Sequence, residues 1–155
     1  MLRQTTKNEF TMATTNKPKA LFWIIAIIAL LWNLMGLSEF IKTAFFVEMY
    51  ADTYTEIQMD AIRNAPIWTD VLFGISTITG VLASIMLLMR KKVAIQLFVI
   101  SVLTVIGHTL GAILALDSIG LFGMGEGLIF PLVIIVLDIF FYWFSKHSYK
   151  KGWIQ

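Results

Sequence analysis

Residues 66–116 read PIWTDVLFGISTITGVLASIMLLMRKKVAIQLFVISVLTVIGHTLGAILAL. Two apolar runs, Pro66 to Met89 and Val93 to Leu116, flank the triplet Arg90-Lys91-Lys92. A bilayer core of about 30 Å takes roughly 20 apolar residues of helix to cross, and each run is long enough. The triplet is too short to join anything but two antiparallel helices. Leu, Ile and Val dominate without period-2 alternation, which excludes a β-barrel. The stretch reads as a membrane-crossing helical hairpin with three cations at its turn.

Two further spans lie outside it. Ala20 to Phe40 is interrupted by Asn33, Ser38 and Glu39, and Gly127 to Phe144 is the shortest of the four. The expected fold is all-α: a polytopic membrane protein built as a four-transmembrane-helix bundle. Its parts are an N-terminal tail (1–19), a membrane domain (20–144) and a C-terminal tail (145–155). The spans are 20–40, 66–89, 93–116 and 127–144, with one sizeable outer loop, 41–65. Span one reads as an uncleaved anchor, since its apolar run is long and no A-x-A site follows. Met12 opens a second possible start of translation.

Composition agrees. The chain has 155 residues, 58% hydrophobic and 14% charged, with a mean hydropathy of +0.80. Soluble domains carry roughly 45–50% apolar and about 25% charged residues, and one this small still exposes about a third of its chain. A cytosolic enzyme, a disordered tail and a nucleic-acid binder are excluded, and the bilayer is the first expected partner. With no cysteine there are no disulfides, thiolate metal sites or redox dithiols.

Charge distribution gives the orientation. Arg3, Lys7, Lys17, Lys19, Arg90, Lys91, Lys92, Lys146, Lys150 and Lys151 fall on one side of the spans, and Lys42 and Arg63 on the other. Ten against two places both termini in the cytoplasm by the positive-inside rule. The bias also makes any homo-oligomer a parallel one, such as a parallel dimer. Trp23, Tyr142 and Trp143 mark the inner interface and Trp68 the outer one.

The outer loop carries Glu48, Asp52, Glu56 and Asp60 at four-residue intervals. On one helix these like charges would stack unfavourably, so a break is expected near Asp52–Thr55. Thr55-Glu56-Ile57-Gln58 has the capping-box pattern for a second short helix running to Asn64. The acids form either a solvated face or a mouth that gathers cations. Gly123-Met124-Gly125-Glu126-Gly127 reads as a flexible loop, not a phosphate cradle.

Polar and small residues inside lipid turn toward protein, and each span carries one such stripe. These are Ala26, Ala29, Asn33 and Gly36; Asp70, Gly74, Thr77 and Ser84; Ser101, Thr104, His108 and Gly111; and Gly127, Pro131, Asp138 and Ser145. Ordinary close packing accounts for the small ones. Ionisable residues in a span are functional candidates, because a charge at mid-membrane costs several kcal/mol. At 1.5 Å per residue, His108 lies about 22 Å above the cytoplasmic edge and Asp138 about 10 Å above it. They are therefore not a pair. His108 is expected level with Asn33 and Thr77, within a turn of Glu39 and Asp70, forming an outward polar pocket. Trp32 beside Asn33 is suited to hold a sugar face, or else fills a helix gap. These residues, Trp32, Asn33, Glu39, Thr77 and His108, are the candidate solute-binding set. Asp138, level with Ser101 and Ser84, either couples protons, or is a hydrogen-bonded or Lys92- or Lys146-paired structural acid. Neither a catalytic set nor metal-ligand spacing nor a nucleotide motif appears, so no cofactor is expected.

The segments LFWIIAIIALLWNLMG, YTEIQ, APIW, LLMRKK and IFFYWFSKHSYKKGWI resemble a group of small bacterial inner-membrane proteins of unknown function, over Lys19 to Ile154. Such proteins are often labelled sugar transporters. The resemblance implies four spans and, through that label, transport of a small polar solute; it carries no functional residues. Small multidrug-resistance transporters share the size, but their mid-span glutamate has no counterpart here: Trp32 and Asn33 stand in its place. Two functions compete: a small-solute transporter working as an oligomer, and a non-enzymatic accessory or scaffold protein binding a partner through its bundle or outer loop.

Overall fold

The computed structural model describes residues 17–155. The alternative start at Met12 and the cations Arg3 and Lys7 lie outside the described residues. The fold is all-helical, and four helices are long and apolar enough to cross a membrane.

Helix α1, Ala20–Phe45, runs five residues beyond the expected span. Its added turn is supported by a Lys42–Glu39 ion pair at 2.6 Å, one turn apart on the helix surface. A 3₁₀ turn over Val47–Tyr50 follows. Then comes α2, Glu56–Arg63, opened by the expected capping box: the Thr55 side chain accepts from the Gln58 amide and the Gln58 side chain accepts from the Thr55 amide. The charge repeat did break where like charges would have stacked.

Helices α3, Ile67–Leu88, and α4, Val93–Leu116, form the hairpin. They share the most extensive contact in the fold; α1 packs on α3, and the last helix packs on α4. The packing order is thus a row, α1–α3–α4–α6, with α6 spanning Phe130–Lys150. Ring contacts join its two ends near the hairpin turn, where Phe22 of α1 lies 5.9 Å from Phe144 and 6.0 Å from Trp153.

Two expectations about the fourth span need correcting. The stretch Gly123 to Gly127 is not a flexible loop. Asp117, left-handed at φ 49°, caps a short helix α5, Ser118–Met124, and a π turn over Gly125–Ile129 leads into α6. The break is confined to Gly123, at φ 76°, a conformation glycine adopts without steric cost. Nor do residues 145–155 form a separate tail, because nothing breaks the helix before Gly152. That residue, at φ 69°, closes a Schellman motif: Trp153 N–H donates to Ser148 O at 2.9 Å and Gly152 N–H to Tyr149 O at 2.9 Å. The chain then folds back and buries Ile154, 1% exposed, in the apolar core.

Helix α3 ends in the same motif, with Lys91 N–H donating to Met86 O and Arg90 N–H to Leu87 O. Here the left-handed position is held by Arg90, φ 59°. The two helix ends are stitched together: Gln155 N–H donates to Arg90 O at 2.8 Å, Lys92 N–H to Gln155 O at 2.6 Å, and Arg90 Nε to Trp153 O at 2.6 Å.

Candidate functional site

The polar stripes converge midway along the helices. Asn33, buried on α1, donates through Nδ2 to Ala29 O at 2.8 Å and to Ser84 Oγ at 3.2 Å. Ser84 donates in turn to Gly80 O at 2.9 Å. Also against α3, Ser101 Oγ lies 3.0 Å from Ser76 O and 2.7 Å from Asp138 Oδ2. Asn33, Ser84, Ser101 and Asp138 are all buried. Two hydrogen-bonded groups, one joining α1 to α3 and the other joining α3, α4 and α6, therefore meet beside Gly80.

Backbone proximity makes this possible. A Cβ at Gly80 would collide with Asn33 Oδ1, and Ser101 Oγ would lie 3.3 Å from it. Ser76, Gly80 and Ser84 form a small-xxx-small repeat, the pattern that lets helices approach closely. Sequence reasoning named Ser84 but missed Ser76 and Gly80, although that spacing was readable.

Asp138 meets the expected neighbour, Ser101. Among the described residues its carboxyl forms no ion pair, and the ion pairs present, Lys42–Glu39, Arg63–Glu48 and Arg63–Glu56, lie toward the other end of the fold. Reach explains this: Asp138 is level with Ser101, eight residues into α4, or about 12 Å from the turn lysines.

The pocket expected around His108 does not assemble as drawn. Asn33 is thirteen residues into α1 and Ser101 eight into α4, yet both face Gly80. Helix α1 thus starts about 7.5 Å beyond the start of α4, and counting depth from each first residue misaligned the two. His108 sits roughly 10 Å farther along than Asn33. Its Nδ1 lies 3.0 Å from Thr69 O, and its ring stacks on Phe73 at 4.7 Å and 14°. Phe73 in turn meets Phe40 edge-on at 5.7 Å, so α1 reaches His108 through aromatic rings. Thr77 is opposite Gly36 and donates to Phe73 O or Gly74 O of its own helix. Trp32 is half-buried and packs against the apolar core.

Glu39 belongs to a third group, at the loop end. It accepts from Lys42 Nζ and from Tyr50 Oη, both at 2.6 Å. Tyr50 packs on Tyr54 at 5.9 Å, and Tyr54 Oη donates to Glu126 Oε2 at 3.2 Å. The two phenols strap α1 to the π turn that precedes α6. Burial, then the facing carboxylate, pushes the Tyr50 phenol above its ordinary range. Arg63 donates to both carboxylate oxygens of Glu48, at 3.0 and 2.8 Å, which holds Glu48 below the usual glutamate value. Of the loop's acids, Glu48 and Glu56 are thus engaged by its own Arg63. Gln58 donates to Leu121 O at 2.7 Å and Met59 is 1% exposed, so the loop lies over α5.

Comparison with protein-family models, with curated proteins and with solved structures finds no match.

Proposed function

We propose that this chain is a multi-pass protein of the bacterial inner membrane, with both termini cytoplasmic, that moves a small polar solute as a parallel homo-oligomer. Asp138 is its proton-coupling group. Sugars are the solute class implied by the resemblance to small four-span inner-membrane proteins. The ten-to-two distribution of Lys and Arg supports the orientation. A bundle of four spans is thin for alternating access, and two copies would enclose a midplane site.

The observation that carries the reading is the carboxyl of Asp138, buried in the interior with a serine hydroxyl at 2.7 Å. Ser101 has one hydrogen and two acceptors to serve, Ser76 O and Asp138 Oδ2. When Asp138 is ionised, the hydroxyl donates to it. When it is protonated, the carboxyl donates to Ser101 Oγ, and the serine's own hydrogen turns to Ser76 O. A proton arriving at Asp138 would free the serine's hydrogen for α3 while the carboxyl keeps its bond to Ser101, so that α3, α4 and α6 are joined at once. Proton uptake is thereby coupled to the contact between helices.

A second reading has its own support. Asn33, Thr77, Ser84 and Ser101 are bonded within the fold, as an accessory or scaffold protein requires. Counterflow in proteoliposomes with Asp138→Asn separates the two. Transport expects a folded variant that has lost pH-dependent flux. A stable variant with undiminished flux would remove Asp138 from the mechanism.

A further inference from the structure

The helix-end knot at the hairpin turn gathers cations that are sixty residues apart in sequence. Arg90, Lys91 and Lys92 form the turn, and Lys146, Lys150 and Lys151 close α6 beside it. The five lysines are exposed. No Asp or Glu lies in residues 89–93 or 144–155. Among the described residues, the ion-paired carboxylates are Glu39, Glu48 and Glu56, at the loop end.

Arg90 is the informative member. It occupies the left-handed position of a Schellman motif at φ 59°, where glycine is the usual occupant and another residue costs about 1–2 kcal/mol. Its Nε is tied to Trp153 O, which leaves its terminal nitrogens without a partner among the described residues. Arg90 thus lines, with Met89, Lys91 and Gln155, an open groove of about 210 Å³. That groove sets the Met89 side chain beside two cations, Arg90 and Lys91. Trp143 and Tyr149, 56% and 49% exposed on the same end of α6, are side chains suited to headgroup depth.

We propose that this corner binds the headgroup of an anionic phospholipid: the phosphodiester on Arg90 and Lys91, the acyl chains running along Met89 toward the lipid-facing helices. The chemistry is phosphate on a guanidinium–ammonium pair. The aromatic side chains beside it favour lipid over an acidic protein segment. The inference rests on the four helices sitting in a bilayer and is independent of whether the protein transports anything.

The test titrates phosphatidylglycerol, phosphatidylcholine or inorganic phosphate into the detergent-solubilised full chain and follows the melting temperature. Phosphatidylglycerol should raise it with saturation, by mass action on the folded state, and the other two should not. Lys91→Gln/Lys92→Gln/Lys151→Gln removes exposed charges without touching the knot. Juxtamembrane cations contribute about 1 kcal/mol each near an anionic surface, so apparent affinity should fall about tenfold or more. Lys17→Gln/Lys19→Gln should leave it unchanged. Equal stabilisation by phosphate and lipid would overturn the lipid assignment, as would an unchanged affinity in the triple variant. Equal losses in both variants would show diffuse charge rather than a site, and overturn it too.

Discussion

Asn33 and Gly80 meet so closely that the backbone of α3 at residue 80 lies directly under the Asn33 carboxamide, with no room for a methyl group. Gly80→Ala should therefore destabilise the fold by about 1–3 kcal/mol, the usual cost of overpacking. Truncating Asn33 in the same molecule should relieve the collision. In thermal unfolding of detergent-solubilised protein, Asn33→Ala/Gly80→Ala should lose less than the two single losses combined. Additivity would mean that the two residues do not touch.

His108 holds α4 to α3 in two ways, through Thr69 O and through the face of Phe73. His108→Phe keeps the stack and gives up the bond, at about 0.5–1.5 kcal/mol. His108→Ala gives up both, and stacking adds a further 0.5–1.5 kcal/mol or so. The expected order of melting temperatures is wild type, then Phe, then Ala. An alanine variant as stable as wild type would show that His108 has no structural duty.

The loop between α1 and α3 should loosen at both ends of the pH scale. Glu48 is held below its ordinary value by hydrogen bonds from Arg63. Its contribution is present above the ordinary carboxylate range and lost as pH falls through the depressed value. Tyr50 is raised by burial and by Glu39, so its contribution holds below the ordinary phenol range and is lost as pH rises through the raised value. Hydrogen exchange of residues 47–63, corrected for the intrinsic pH dependence of exchange, should be slowest between these limits. Arg63→Gln should move the acid limb upward and leave the alkaline limb in place. An acid limb that stays put would disprove the assignment.

Ile154 is buried in the core next to Phe22 and Phe144. Ile154→Ala should cost about 2 kcal/mol or more, as buried Ile-to-Ala changes do. A cost below about 0.5 kcal/mol, typical of an exposed site, would mean that residues 151–155 are not docked.

Single cysteines report the crossings cleanly because the chain has none of its own. Ile57 is 73% exposed and Lys91 is exposed at the hairpin turn. A thiol at 57 should react only from outside the cell and one at 91 only from inside. Labelling of both from one face would contradict an odd number of crossings between them.

The helices themselves were legible because apolar length and the basic triplet leave few alternatives for residues 66–116. The Thr55–Gln58 capping box was legible for a different reason: its two hydrogen bonds are local, so four letters suffice. Asp138 and Ser101 were matched because both depths are measured from one end of adjoining helices. Asn33 and His108 were not, since the offset of α1 against α4 is set by Gly80 and by the rings around Phe22. No periodicity carries that offset. The docking of Ile154 was likewise invisible, for a lone apolar residue after Gly152 has no pattern around it.

The short link between α3 and α4 has a consequence for assembly. The entropy of bringing two segments together grows with the chain between them, and Arg90 to Lys92 is nearly the minimum. By contrast, 51 residues separate Asn33 from Ser84 and 37 separate Ser101 from Asp138. The hairpin is then the cheapest tertiary structure this chain can make, with α1 and α6 added to a surface already present. Chains lacking α1 or α6 should still pair α3 with α4, whereas a long insertion at Lys91 would delay every later contact.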